Sequence, residues 1–211
     1  MRFRTGLGSF IVGALLLITS ASAGATVITF EGASGTANTL GGFIDVSGFR
    51  FILSATPSAS FETVTNQANI VEPGTTKLFS ANHSEITMTR VGGGAFDLVS
   101  LDVGGSFTTS SNRWADHVDI IAGGNTLTVN LPSNNPTYQF ASPNFPNVNS
   151  VLFEPFGHVG GDIVDFEFTL DNITVVTSAP EPTTLLLLAF GLTGLVGTVA
   201  WRRCRSTLRA R

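Results

Sequence analysis

The sequence predicts an all-β fold, a β-sandwich, for residues 26–178. Three observations predict it. No helical period recurs anywhere in that stretch, and no repeat of 20–50 residues is present. Short β-branched or aromatic runs alternate instead with Gly, Asn, Ser and Pro, the pattern of strands joined by turns. The chain also holds 17 Phe, most of them in those runs, which suits two sheets meeting across an aromatic core.

Taken in order, Val27 to Phe30 opens the domain, and Gly41-Gly42 separates it from Phe43 to Val46. Phe49, Phe51 and Leu53 then alternate with Arg50 and Ile52. Phe61 to Val64, Asn69 to Val71 and Lys77 to Phe79 read as shorter strands. In Glu85 to Arg90, Ile86 and Met88 point inward. Gly92-Gly93-Gly94 predicts a loop or bulge before a strong strand from Phe96 to Val103. There Phe96, Leu98 and Ser100 are expected on one face, and Val99, Leu101 and Val103 on the other. Val118 to Ala122 and Thr126 to Leu131 flank Gly123-Gly124-Asn125, which reads as a tight hairpin turn needing positive φ. Residues 132–149 read mostly as loop with one short strand, in which Tyr138 and Phe140 are the apolar core candidates. Val148, Val151 and Phe153 form a strand that Pro155 is expected to end. The last strand sets Phe166, Phe168 and Leu170 against Asp165, Glu167, Thr169 and Asp171. Its apolar phase slips by one residue at Asp171-Asn172 before Ile173 and Val175 resume, which implies a β-bulge.

The two ends read differently. Arg2 and Arg4 precede an apolar run from Leu7 to Ile18, and both Ala21-Ser22-Ala23 and Ala23-Gly24-Ala25 are small-x-small sites. Residues 1–25 are therefore expected to be a secretory signal peptide, cut after Ala23 or Ala25. At the other end Pro180-Glu181-Pro182 follows a short linker and can continue neither sheet nor helix. An uncharged run from Thr183 to Trp201 comes next, then Arg202, Arg203, Arg205, Arg209 and Arg211. About 20 apolar residues match the roughly 30 Å hydrocarbon core of a bilayer. Residues 183–201 are expected to be a single transmembrane helix and 202–211 a basic cytoplasmic tail, because arginine-rich flanks resist translocation.

The formal charge of −4 conceals an uneven distribution. Residues 26–178 hold four basic and fourteen acidic residues, a net of −10. Such a domain is a poor partner for nucleic acid, whose phosphates need Lys and Arg. The one cysteine, Cys204, falls in the basic tail, so the exported domain must cohere without a disulfide.

The tail, with Pro-Glu-Pro, span and arginine cluster in that order, resembles the PEP-CTERM protein-sorting signal of Gram-negative bacteria over residues 179–205. A region of this kind is also called an ice-binding protein C-terminal domain. The resemblance implies recognition at Pro180, Glu181 and Pro182 by an exosortase, a membrane-embedded cysteine-type transpeptidase. It further implies transient anchoring in the inner membrane, with Arg202, Arg203 and Arg205 as the stop-transfer flank. Cleavage near the outer edge of the span would then release the protein to the cell surface or extracellular polysaccharide matrix. The domain itself resembles the β-sandwich ectodomains that often precede this tail, on an early Thr29-Phe30-Glu31 and a late Phe168 to Ile173. Similar jelly rolls occur in carbohydrate-binding modules, so a jelly-roll-like arrangement is the expectation.

No nucleophile elbow, zinc-protease helix, phosphate loop or dinucleotide fingerprint is present. Glu31 on the first strand, with Asp171 and Asn172 on the last, is the candidate calcium site. Terminal strands of a jelly roll commonly pair, and calcium wants six to eight oxygen ligands. In a plainer account Asp171 and Asn172 only brace the bulge. Trp114, Asp116 and Tyr138 are candidates for sugar binding, an aromatic face with polar neighbours. A Trp just before a strand is otherwise core edge. His117, between Asp116 and Asp119, reads as a surface histidine. Thr126 and Thr128 are too few for an ice-binding array. No carboxylate pair stands out for glycoside hydrolysis. The functional expectation is an exported, non-enzymatic β-sandwich of the cell surface or matrix, with carbohydrate binding as its candidate activity. The alternative is a secreted hydrolase acting on polysaccharide.

Overall fold

The computed structural model describes residues 24–54, 59–65, 75–106, 115–132, 137–157 and 166–177. All of them fall within the unit Ala23–Ser178. Residues 1–23 of the expected signal peptide, Asn69 to Val71, Trp114, the Pro-Glu-Pro motif, the 183–201 span and the arginine cluster all lie outside the described residues, whereas Gly24 and Ala25 belong to the first strand.

Among the described residues there are fourteen strands and no helix. Along the chain they begin β1 (Gly24–Ile28), β2 (Thr36–Ala37), β3 (Phe43–Val46), β4 (Phe49–Leu53) and β5 (Ser60–Val64). Next come β6 (Lys77–Ala81), β7 (Ile86–Arg90), β8 (Phe96–Gly105), β9 (His117–Ala122) and β10 (Asn125–Asn130). The last four are β11 (Tyr138–Ala141), β12 (Phe145–Val148), β13 (Ser150–Phe156) and β14 (Phe168–Thr177).

The strands form two antiparallel sheets. The first runs β11-β8-β14-β6-β5-β2 and the second β10-β9-β13-β7-β4-β3. In the first sheet, β12 joins the edge of β8 beyond β11, and β1 pairs with the second half of β14 beyond β6. The terminal strands therefore do pair, Gly24 with Thr177 through to Ile28 with Ile173.

Alternation explains the core. Phe49, Phe51, Leu53, Ile86, Met88, Val118, Ile120, Val151 and Phe153 face inward from the second sheet, as their period-two spacing predicts. Phe96, Leu98, Leu101, Val103, Phe168, Leu170, Ile173 and Val175 meet them from the first. Phenylalanines bridge the layers edge to face, Phe49 against Phe96 at 5.1 Å and Phe30 against Phe51 at 5.2 Å between centroids. Gly123 and Gly124, at φ 58° and 80°, make the two-residue turn between β9 and β10 that the sequence predicts.

Several expectations need correction. Phe96, Leu98, Leu101 and Val103 do not divide between two faces; all four are in the core. Opposite β14, the register of β8 shifts twice, so Asp171 pairs with Asp102, Thr174 with Ser100 and Val175 with Leu98. One step gives an extra residue to β14 and the next gives one to β8. The predicted bulge at Asp171-Asn172 thus has a compensating partner near Ser100, and both strands keep their apolar residues inward. Residues 132–149 hold two strands, not one. Phe140 lies on the surface at 72% exposure, while Ala141 and Phe145 take the core places. Pro155 does not end β13: the strand runs on to Phe156, paired only to β9, since its pairing with β7 stops at Phe153. A proline costs nothing on a side with no ladder to complete. The first strand begins earlier than expected and stops at Ile28, with Phe30 buried just beyond it.

Candidate functional site

The outer face of the first sheet, at the break between its two half-length edge strands, gathers the predicted residues. β1 leaves the edge of β14 at Ile173, and β6 begins on that edge opposite Leu170. Between them lies the bulge at Asp171 and Asn172, the latter at φ 49°. Glu31 arrives from the end of β1, and its Oε1 accepts the backbone N–H of Thr76 at 2.9 Å. Asp171 Oδ1 accepts the N–H of Asn172 at 2.8 Å, and the Asn172 side-chain amide donates to Asp102 Oδ2 at 2.9 Å. The structure therefore brings Glu31, Asp171 and Asn172 to one place, and adds Asp102.

It also adds Lys77. Lys77 and Asp171 each stand one step beyond the Leu170–Leu78 pair on their strands, and the charge of Lys77 reaches Asp171. Lys77 is 1% exposed and Asp171 5%. Burial pushes the Asp171 carboxyl up to about 6, and the carboxylates of Asp102 and Glu31 push the same way. The Asn172 N–H and the Lys77 ammonium oppose that rise. Lys77 thus supplies positive charge beside the carboxylates proposed for calcium. Among the described residues no group of three or more His, Cys, Asp or Glu is arranged to hold a metal ion. The sequence does contain a signal for Lys77: it is the only lysine in the chain, on a strand where Leu78 faces the core.

Beside this cluster runs β11. Tyr138 and Phe140 stand two residues apart on its outer face, opposite Gly104 and Asp102. Tyr138 is half-buried and Phe140 is exposed. The sequence groups Tyr138 with Asp116, but Asp116 belongs to the other sheet, just before β9. Its N–H donates to the Phe156 carbonyl, and its carbonyl accepts from Leu131. His117, partly exposed, stacks on Phe156 at 5.0 Å.

The outer face of the second sheet carries a separate acidic row. Glu154 of β13 lies opposite Asp119 of β9, whose Oδ1 accepts the Thr128 hydroxyl at 2.6 Å. Glu85 lies beside it, next to the Phe153–Ile86 pair. Burial raises the Glu154 carboxyl above its usual range, helped by the charges of Glu85 and Asp119 and opposed by His83. At the sheet's far edge Arg50 holds Asp45 through two bonds of 2.8 Å and lies over the Phe43 ring.

Comparison with known proteins adds one assignment. Residues 178–205 match the family described as the PEP-CTERM protein-sorting motif. This is a C-terminal sorting signal of exported proteins. No curated protein sequence matches the chain. Among solved structures, the K1 cleaved adhesin domain of Lys-gingipain from Porphyromonas gingivalis W83 is similar at 12% identity and a TM-score of 0.40. That alignment covers 70% of this chain and 100% of that one. A mutant of a family 29 carbohydrate binding module is similar at 16% identity and a TM-score of 0.34, covering 74% and 94%. At these scores neither likeness bears on function.

Proposed function

From the premise that residues 178–205 are a PEP-CTERM protein-sorting motif, we propose that this is an exported, exosortase-processed protein of the cell surface or matrix. Its β-sandwich acts as a non-enzymatic module for neutral polysaccharide. The route rests on the motif. The binding role rests on one observation, the exposure of Phe140 beside Tyr138 on a face that also carries Asp102 and Asn172.

A large apolar ring left 72% exposed on a strand gains nothing from the core. It offers a flat surface to the C–H face of a sugar. Alternate residues on a strand lie about 7 Å apart, so Tyr138 and Phe140 present two rings along one line. The Asp102 carboxylate and Asn172 amide, already bonded to each other, keep spare acceptor and donor positions for hydroxyls. The acidic balance of the domain argues for an uncharged polymer and against an anionic one.

Affinity electrophoresis against neutral glycans, run beside a reducing-sugar assay, tests the reading. Retention without sugar release is expected. Phe140→Ala is expected to weaken retention about tenfold, the loss of one stacking contact, with an unchanged melting temperature. Sugar release by the wild-type protein would favour the hydrolase instead.

A further inference from the structure

We propose that Lys77 and Asp171 join in an intramolecular isopeptide bond that ties β6 to β14. The argument is independent of polysaccharide binding. A lysine is almost never fully buried without a specific reason, and the only lysine of this chain is 1% exposed. On the adjoining strand, one step beyond the Leu170–Leu78 pair as Lys77 is on its own strand, stands Asp171, itself 5% exposed. Side chains opposed in this way start from Cβ atoms about 5 Å apart, a gap the lysine stem spans easily.

The surroundings favour condensation. Amide formation needs a neutral amine, a protonated carboxyl and little competing water. Lys77 and Asp171 are both shielded from solvent, so little water competes and a neutral amine beside a neutral carboxyl is better tolerated there than in the open. Glu31 is fixed by the N–H of Thr76, the residue before Lys77, and its charge acts on Asp171. The Lys77 amine attacks the Asp171 Cγ, forming a C–N bond. Glu31 takes the proton released by the nitrogen and returns it to the departing hydroxyl. The C–OH bond breaks, one water leaves, and an amide links the two side chains. No oxidant or cofactor is consumed.

The bond would give this thiol-free domain a covalent staple. It would lie at the bulge, where β14 changes neighbours from β6 to β1 and the edge ladder is broken. Asp102, bonded to Asn172, holds the bulge closed on the other side.

Peptide mapping and intact-mass spectrometry of the full chain, purified folded and then denatured, test this. The wild-type chain is expected to be one water lighter than its sequence and to yield a branched peptide joining the segments of Lys77 and Asp171. Its ε-amine should resist amine-reactive labelling after unfolding. Asp171→Ala should restore the full mass and the labelling, and Glu31→Gln should slow linkage about a hundredfold. A wild-type chain of full mass whose Lys77 labels completely overturns the proposal and leaves an ion pair. That outcome is read from the wild-type protein alone, so it stands even if a variant fails to fold.

Discussion

Gly157 lies where any side chain would strike the ring of Phe166. A Cβ placed there comes within 2.0 Å of the ring's Cε1. Phe166 is itself packed edge-on against His83 at 5.0 Å between centroids. Gly157→Ala must therefore displace a packed ring, and overpacking of this kind costs about 1–3 kcal/mol, readable as a lower urea midpoint. Glu154 offers a second test at the same scale. Its folded-state carboxyl is raised by burial, then by Glu85 and Asp119. The folded protein thus binds a proton that the unfolded chain has already released. Stability from this group is greatest below the ordinary carboxylate range and is lost as pH rises through the raised value. Glu154→Gln should remove that decline. It should also raise the melting temperature at pH 7 by about 1 °C, since opposed like charges cost a few tenths of a kcal/mol.

At the scale of elements, the feature that builds the candidate site is the pair of compensating irregularities in β8 and β14. Half of it is legible in the sequence. Leu170 and Ile173 are three apart, so one residue between them has to bulge. The other half is not, because Ser100 is small enough to face either way, and the run from Phe96 to Val103 reads as unbroken alternation. Phe140 departs from expectation for a related reason. Periodicity assigns residues to faces but does not say which face is covered, and on edge strand β11 the covered positions go to Ala141. Lys77 escapes a reading of the sequence because a charged residue at a strand's start normally marks solvent. The bulge itself makes a prediction. Asn172 combines a left-handed backbone with an amide bond to Asp102. Asn172→Gly should keep the backbone and lose only the amide bond, at about 1 kcal/mol. Asn172→Ala should cost more, because it adds the penalty for an L-residue at positive φ. Reversal of that order in chemical denaturation would mean that the bulge does not depend on this conformation.

For the whole molecule, the pairing of Gly24 with Thr177 sets the two ends of the described domain side by side. β14 completes its ladder with β1 and β8 by Thr177, three residues before Pro180. The ladders of β14 are thus complete before the sorting motif begins at 178. Cutting the tail away should then leave the domain's melting temperature unchanged while altering where the protein goes. In the native host, replacing Pro180, Glu181 and Pro182 with alanine should hold the chain at full length in the membrane fraction. The wild-type chain should appear outside the cell without Trp201 and the arginines that follow. C-terminal peptide mapping of the exported pool decides the matter. An exported protein that still carries Arg202 and Arg203 would show that the tail is a permanent anchor, whereas their loss together with an intact, equally stable sandwich would show that it is an address removed on delivery.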